Sequence, residues 1–173
     1  MSDARFRLYM AISLDGMVAD ADGGVEWLNR WEDVDYGTAD FMAEVDTLIM
    51  GRTTYDQIAG FGIDWPYAGK RTVVLTSRPI GEAPDGVEGT SDLAGLIAEL
   101  REDGAQVWIV GGAATAGACI ALGAIDTVEL FLMPVLLGEG VPLFAGDGPE
   151  VPLALRETRA WSNGAVGLIY DVA

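Results

Sequence analysis

The chain has no histidine and a single cysteine, Cys119, among its 173 residues. An internal disulfide is therefore excluded, and a cysteine-based zinc site cannot be assembled; no metal is expected. Cations are scarce as well: 10 Lys and Arg stand against 27 Asp and Glu, a formal charge of −17. A body of that charge repels nucleic acid and anionic membrane surfaces, so neither is expected as a partner. No apolar run approaches the roughly 18 residues that a membrane span needs. The opening residues, Met1 to Arg7, lack the apolar core of a secretory signal, and the expectation is a cytoplasmic protein. There is no internal repeat, linker or low-complexity run. What is present is apolar residues, 50% of the chain, enough for one sizeable core, so residues 1–173 are expected to form a single domain.

The apolar segments alternate in kind. Arg7 to Ser13 reads as a strand buried on both faces that stops at the turn dipeptide Asp15-Gly16, and an extended Gly-rich loop follows. Tyr36 to Val45 has loosely helical spacing, and Asp46 to Met50 is a short buried strand broken by Gly51. A helix is expected from Arg52, and a strand over Arg71–Thr76. A further helix, capped by Ser91, carries Leu93, Leu96, Ile97 and Leu100 on one face to about Asp103. Gln106–Val110 then reads as a strand and Ala113–Leu122 as a helix. Beyond Gly123, Thr127–Met133, Leu153–Trp161 and Val166–Val172 are strands with no long helix between them, the last two joined by a hairpin turn at Ser162-Asn163-Gly164. The reading is an α/β fold: a mainly parallel central sheet covered by helices on both faces, with an antiparallel strand pair at the C-terminal end.

Three strand ends carry groups that suit a phosphate: Gly51-Arg52-Thr53-Thr54, Thr76-Ser77-Arg78 and Val110-Gly111-Gly112-Ala113. Glycine lets a ligand approach the backbone, the helix that follows offers unpaired N–H groups, and Arg with Ser or Thr hydroxyls binds phosphate oxygens. In a parallel sheet these ends share one edge, where ligands bind. Arg52, Lys70, Arg71 and Arg78 put four of the few cations near the second and third of the apolar strands. Each feature alone is also what a tight turn, a helix cap or a solvated loop looks like. The glycine fingerprints of the usual dinucleotide and P-loop sites are both missing.

Taken together and in order, Ser13-Leu14-Asp15-Gly16, Met50-Gly51-Arg52-Thr53-Thr54-Tyr55, Leu75-Thr76-Ser77-Arg78-Pro79, Val110-Gly111-Gly112 and Pro134-Val135-Leu136-Leu137-Gly138-Glu139-Gly140 resemble the dihydrofolate reductase-like superfamily. The resemblance is strongest to the branch that contains the C-terminal domain of the riboflavin biosynthesis protein RibD, and it runs from about Arg5 to Asp171. It implies a three-layer dihydrofolate reductase-like fold and an NADPH-dependent reductase that transfers hydride to a pyrimidine or pterin-like heterocycle, foremost 5-amino-6-(5-phosphoribosylamino)uracil. It further implies that Arg52, Ser77 and Arg78 hold the 2′-phosphate and adenine ribose. Thr54 and the amides near Gly112 meet the pyrophosphate, and Gly51, Thr53, Thr76, Val110, Gly111, Ala113 and Thr115 complete the cofactor contacts. The peptide between Gly111 and Gly112 is expected to be cis.

Departures from the superfamily are informative. Ala113 and Ala114 stand where strict dihydrofolate reductases have a third glycine and a cation, Phe131-Leu132-Met133-Pro134 lacks their supporting Thr, and Met17 stands where riboflavin-type reductases carry Lys. Two carboxylates remain open as the catalytic acid: Asp35, sixteen residues before Gly51 by count, and Asp15, which also borders the substrate by resemblance. Trp27, Phe41 and Trp65 are the aromatic candidates for stacking on a flat substrate. True dihydrofolate reductase and a catalytically inactive NADPH-binding protein are the alternatives. The apolar C-terminal strands make a homodimer the expected assembly.

Overall fold

A computed structural model describes residues 3–173. In chain order the elements are β1 (Arg5–Ser13), β2 (Met17–Ala19), a 3₁₀ turn (Glu26–Trp31), α1 (Thr38–Glu44), β3 (Thr47–Gly51), α2 (Arg52–Ala59), β4 (Arg71–Leu75) and β5 (Val87–Thr90). They continue with α3 (Leu93–Glu102), β6 (Gln106–Gly111), α4 (Ala113–Ala121), β7 (Thr127–Met133), β8 (Val141–Pro142), β9 (Leu153–Ala160) and β10 (Val166–Val172).

Side chains alternate across an extended strand, and this rule divides the core in two. Phe6, Leu8 and Ile12 of β1 join Ile49, Val107 and Ile109 under Leu93, Leu96 and Leu100 of α3 and Ala116 and Cys119 of α4. On the opposite face Leu48, Met50 and Val74 pack against Tyr55 of α2. There Trp27 of the 3₁₀ turn also covers Phe131 and Met133. Helix α1 closes the same face by laying Phe41 flat on Tyr9, ring centroids 3.8 Å apart. Helices thus flank the sheet on both sides, the three-layer arrangement that the alternation of segments predicts.

The sheet has eight strands in the order β5-β4-β3-β6-β1-β7-β10-β9. Strands β5, β4, β3, β6, β1 and β7 are mutually parallel, and β10 is antiparallel to both β7 and β9. The register sets Gly51 beside Leu75 and Met50 beside Gly111, which brings the ends of β3, β4 and β6 to one edge. Successive crossovers leave β3 in one direction and β6 in the other, the switch in strand order that opens a crevice in such sheets.

The structure departs from the sequence reading in a few places. The loop after β1 contains the 3₁₀ turn and the short β2, which pairs with β8. Strand β5 was not anticipated. Helix α3 is capped by Asp92, whose carboxylate accepts the Gly95 N–H at 2.9 Å, instead of by Ser91. Beneath α1, Arg7 donates two hydrogen bonds of 2.6 and 3.0 Å to Glu129, whose side chain is 5% exposed, and Arg7 also pairs with Glu44. The sheet is thereby tied to the end of that helix.

Candidate active site at the carboxyl edge of the sheet

Two helices begin at this edge directly from a strand. Helix α2 starts after Gly51 and α4 after Gly112, and neither N-terminus is capped by a side chain. The first N–H groups of a helix have no intrahelical acceptor and carry the positive end of its dipole, so each start is open to an anion. The two starts converge: a Cβ on Gly51 would lie 2.8 Å from the Thr115 hydroxyl and 3.8 Å from the Gly112 nitrogen, and one on Gly112 would lie 3.5 Å from the Thr54 hydroxyl. Gly111 has φ of +114° and passes so close to Met10 that a Cβ would stand 2.7 Å from its terminal methyl. Both features call for glycine there. The Gly111–Gly112 peptide is cis, as the resemblance implies. Thr115 is buried, Thr53 faces solvent on the first turn of α2, and Val110 lies with Trp108 on the α2 face of the sheet.

Beside these starts, at the end of β4, lies an open depression of ≈730 Å³ walled by Arg52, Thr76, Ser77, Arg78, Ser91 and the C-terminal half of α4. Arg52 is pinned by Asp56 at 2.8 Å and by the Pro79 carbonyl at 3.1 Å. The Thr76 hydroxyl accepts the Arg78 N–H at 3.1 Å and so shapes the turn. Among the described residues only Arg30 and Arg78 are cations whose side chains have no hydrogen bond or ion pair. Grouping Lys70 and Arg71 with this cluster is corrected: β4 runs away from them, so they lie at the opposite edge, Lys70 on the Val45 carbonyl and Arg71 on Glu88 and Glu99. Ser91 and the α4 residues Ala118 and Ala121 were missed as wall residues. The missing signal was β5, which carries residue 91 next to the end of β4. A larger groove of ≈870 Å³ between α4 and the 141–149 segment has Asp147 as its one charged wall residue.

The other expected site residues sit on the β1/β7 side. Asp15 receives the Leu137 and Gly138 N–H groups at 3.1 and 2.8 Å and the Ser13 hydroxyl at 2.5 Å. The Ser13 hydroxyl and then these amides hold its carboxyl below the ordinary carboxylate range. Asp35 is exposed in the loop ahead of α1, outside any helix, and its carboxylate accepts the Gly37 N–H at 2.8 Å. Phe41 is buried between Tyr9 and the edge of Trp108. Trp27 is 9% exposed and its indole N–H has no partner. Trp65, half-buried after α2, packs on Tyr55 and Tyr67, and its N–H is likewise unpaired. Among the described residues no group of acidic or cysteine side chains has the arrangement of a metal site, and no helix is long and apolar enough to cross a membrane.

Residues 6–167 match the family model described as the RibD C-terminal domain. The uncharacterized protein YwjB of Bacillus subtilis is 37% identical over 166 residues, covering 94% of this chain and 95% of its own. The riboflavin biosynthesis protein RibD of Corynebacterium ammoniagenes is 30% identical over 153 residues, 80% of this chain and 45% of that protein. Among solved structures, a candidate riboflavin biosynthesis protein from Shewanella sp. PV-4 superposes with a TM-score of 0.84 at 29% identity over 98% of this chain and 99% of that one. A deaminase and 5-amino-6-(5-phosphoribosylamino)uracil reductase from Thermotoga maritima gives 0.74 at 18% identity, covering 99% of this chain and 57% of that one.

Proposed function

This chain belongs to the RibD C-terminal domain family, and from that premise we propose that it is an NADPH-dependent reductase of a pyrimidine-like heterocycle. The observation that carries the reading is the pair of uncapped helix starts at Gly51 and Gly112, set beside a depression that holds an unpaired arginine. When bound, the cofactor supplies the hydride, and the fold contributes position and electrostatics. The α2 and α4 amides with the Thr54 hydroxyl hold the pyrophosphate. Arg78, with Ser77 and the pinned Arg52, holds the 2′-phosphate, because a guanidinium free of protein partners gives charge-assisted bonds without first breaking any. The absence of a Cβ at Gly51 lets the Thr115 hydroxyl and the α4 start close on the α2 start, so that both sets of amides face one ligand.

The heterocycle lies on the β1/β7 side, beneath α1 and the 3₁₀ turn. Asp35 is the carboxyl we assign as proton donor, since it is exposed and spends one oxygen on a single amide. Asp15 is a positioning residue: it keeps its charge at working pH and clamps the 134–140 loop to the end of β1. A homodimer built on the C-terminal strands completes the proposal.

The test is loss of nicotinamide absorbance with a panel of pyrimidine- and pterin-like acceptors, run beside dihydrofolate. Turnover of a pyrimidine is expected. Turnover of dihydrofolate alone would make the protein a dihydrofolate reductase, and tight NADPH binding without any turnover would make it a binding protein.

A further inference from the structure

We infer that the homodimer proposed above, on which this inference rests, forms face to face, through the side of β7, β10 and β9 that looks toward α4. Cross-strand partners in a sheet share a face, so the register sorts these strands residue by residue. Val166, Leu168, Tyr170 and Val172 of β10 stand on one side, with Leu132, Leu130 and Val128 beside them on β7. Ala160, Thr158, Leu155 and Leu153 of β9 continue the same rows. Val128, Tyr170 and Val172 belong to the core beneath α3 and α4, which fixes the side as theirs.

None of these side chains is charged. The charged residues of the three strands all fall on the opposite side: Glu129 and Glu157 beside Ile169, Arg159 beside Gly167, and Arg156 bonded to Asp171 at 3.0 Å. The two sides are also covered to different degrees. Phe131, Met133, Gly167 and Ile169 are buried on the α1 side, whereas Leu155 is 56% exposed, Leu153 44% and Val166 38% on the other. The uncovered side runs on into the ≈870 Å³ groove beside α4, which shares Val128, Leu153 and Val172 with it and adds the exposed Phe144. Three strands about 4.8 Å apart and seven residues long outline about 330 Å² before the groove is counted, the scale at which an apolar patch marks an interface.

A second copy is the occupant that the charge pattern fits. Chains of net charge −17 repel one another wherever their carboxylates meet, and this face brings none. Across a two-fold axis each copy offers the same neutral surface to the other, and two sheets so packed lie about 10 Å apart. An anionic bilayer is repelled by the same net charge. The outer edge of β9 is not the contact. Pro152 precedes it, Arg156 forms a bulge in it, and Glu157 and Arg159 add charge, all features that keep an edge strand from pairing.

Sedimentation of the whole protein at micromolar concentration is expected to give twice the 18.3 kDa of one chain. Leu155→Glu puts a carboxylate from each copy into the apolar contact and is expected to raise the dimer dissociation constant about 100-fold or more. Val166→Glu repeats the test on the neighbouring strand. Both side chains are exposed in the single chain, so circular dichroism should show the parent fold in each variant. Arg159→Ala, on the other side of β9, is expected to change the constant by less than about threefold. The β9 amides not bonded to β10 should exchange hydrogen equally fast in the parent and in Leu155→Glu. A parent that sediments as one chain overturns the inference and the homodimer together. A dimer that survives both glutamates, or protection of those β9 amides only in the dimer, leaves the homodimer standing and overturns the face. The reductase reading is judged apart, by NADPH oxidation, and its failure would leave the sedimentation result intact.

Discussion

The two halves of the carboxyl edge differ in how far carboxylates occupy their turn and loop amides. On the β3/β4/β6 side the starts of α2 and α4 are left without side-chain caps, and Arg78 has no partner. On the β1/β7 side Asp15, Asp20 and Asp35 occupy the turn and loop amides. Carboxylates thus close turn amides on the β1/β7 side, while the starts of α1 and of the 3₁₀ turn there have no side-chain cap, like those of α2 and α4. The lesson is that where an acidic chain withholds its carboxylates says more about ligands than its total charge does.

The largest expected effect breaks the support beneath the closed half. Arg7→Ala leaves the Glu129 carboxylate buried without its partner, and such a loss costs roughly 3–5 kcal/mol. Chemical denaturation should show it, and the open half should still bind NADPH at low temperature. Next is Arg78→Ala, which removes charged hydrogen bonds and is expected to weaken NADPH about 10- to 100-fold with little change for NADH. Gly111→Ala follows: φ of +114° and the Met10 contact make it destabilising by about 1–3 kcal/mol, seen as a lower Tm.

Asp15→Asn is milder. A carboxyl held below its ordinary value of 3.8 stabilises the fold above that pH and loses the contribution as pH falls through its depressed value. The variant should therefore lose loop order at neutral pH, read by hydrogen exchange of the Leu137 and Gly138 amides. It should leave kcat nearly unchanged, whereas Asp35→Asn is expected to lower kcat by about 100-fold, seen in the rate of NADPH oxidation. The smallest effect is at Cys119, fully buried, with burial raising its thiol to about 11. A thiol reagent at neutral pH should leave it untouched until the protein unfolds.

Much of this edge is legible in the sequence because its strands are apolar and end on glycine. Leu48-Ile49-Met50 before Gly51 and Val107 to Val110 before Gly111 could be read as strands, and the two glycines as their ends. Strand β5 could not, since Val-Glu-Gly-Thr is polar and lies at the sheet edge with Glu88 and Gly89 exposed. Ser91 and Asp92 are equally good caps by type, and only the loop geometry selects Asp92. Lys70 and Arg71 are close in sequence to Arg78 yet lie a strand length away from it, because sequence proximity does not show which end of β4 a residue occupies. The occupied nests of Asp15 and Asp35 depend on partners as distant as Gly138 and on turn geometry, so their closure is a tertiary property.

The central claim is that the open half holds the extra phosphate of NADPH. Quenching of tryptophan fluorescence by NADPH and by NADH, in the parent protein and in Arg78→Ala, tests it most directly. The account predicts a parent protein that prefers NADPH by about tenfold or more and a variant in which the two cofactors bind nearly alike. An unchanged ratio of the two dissociation constants in the variant would contradict it.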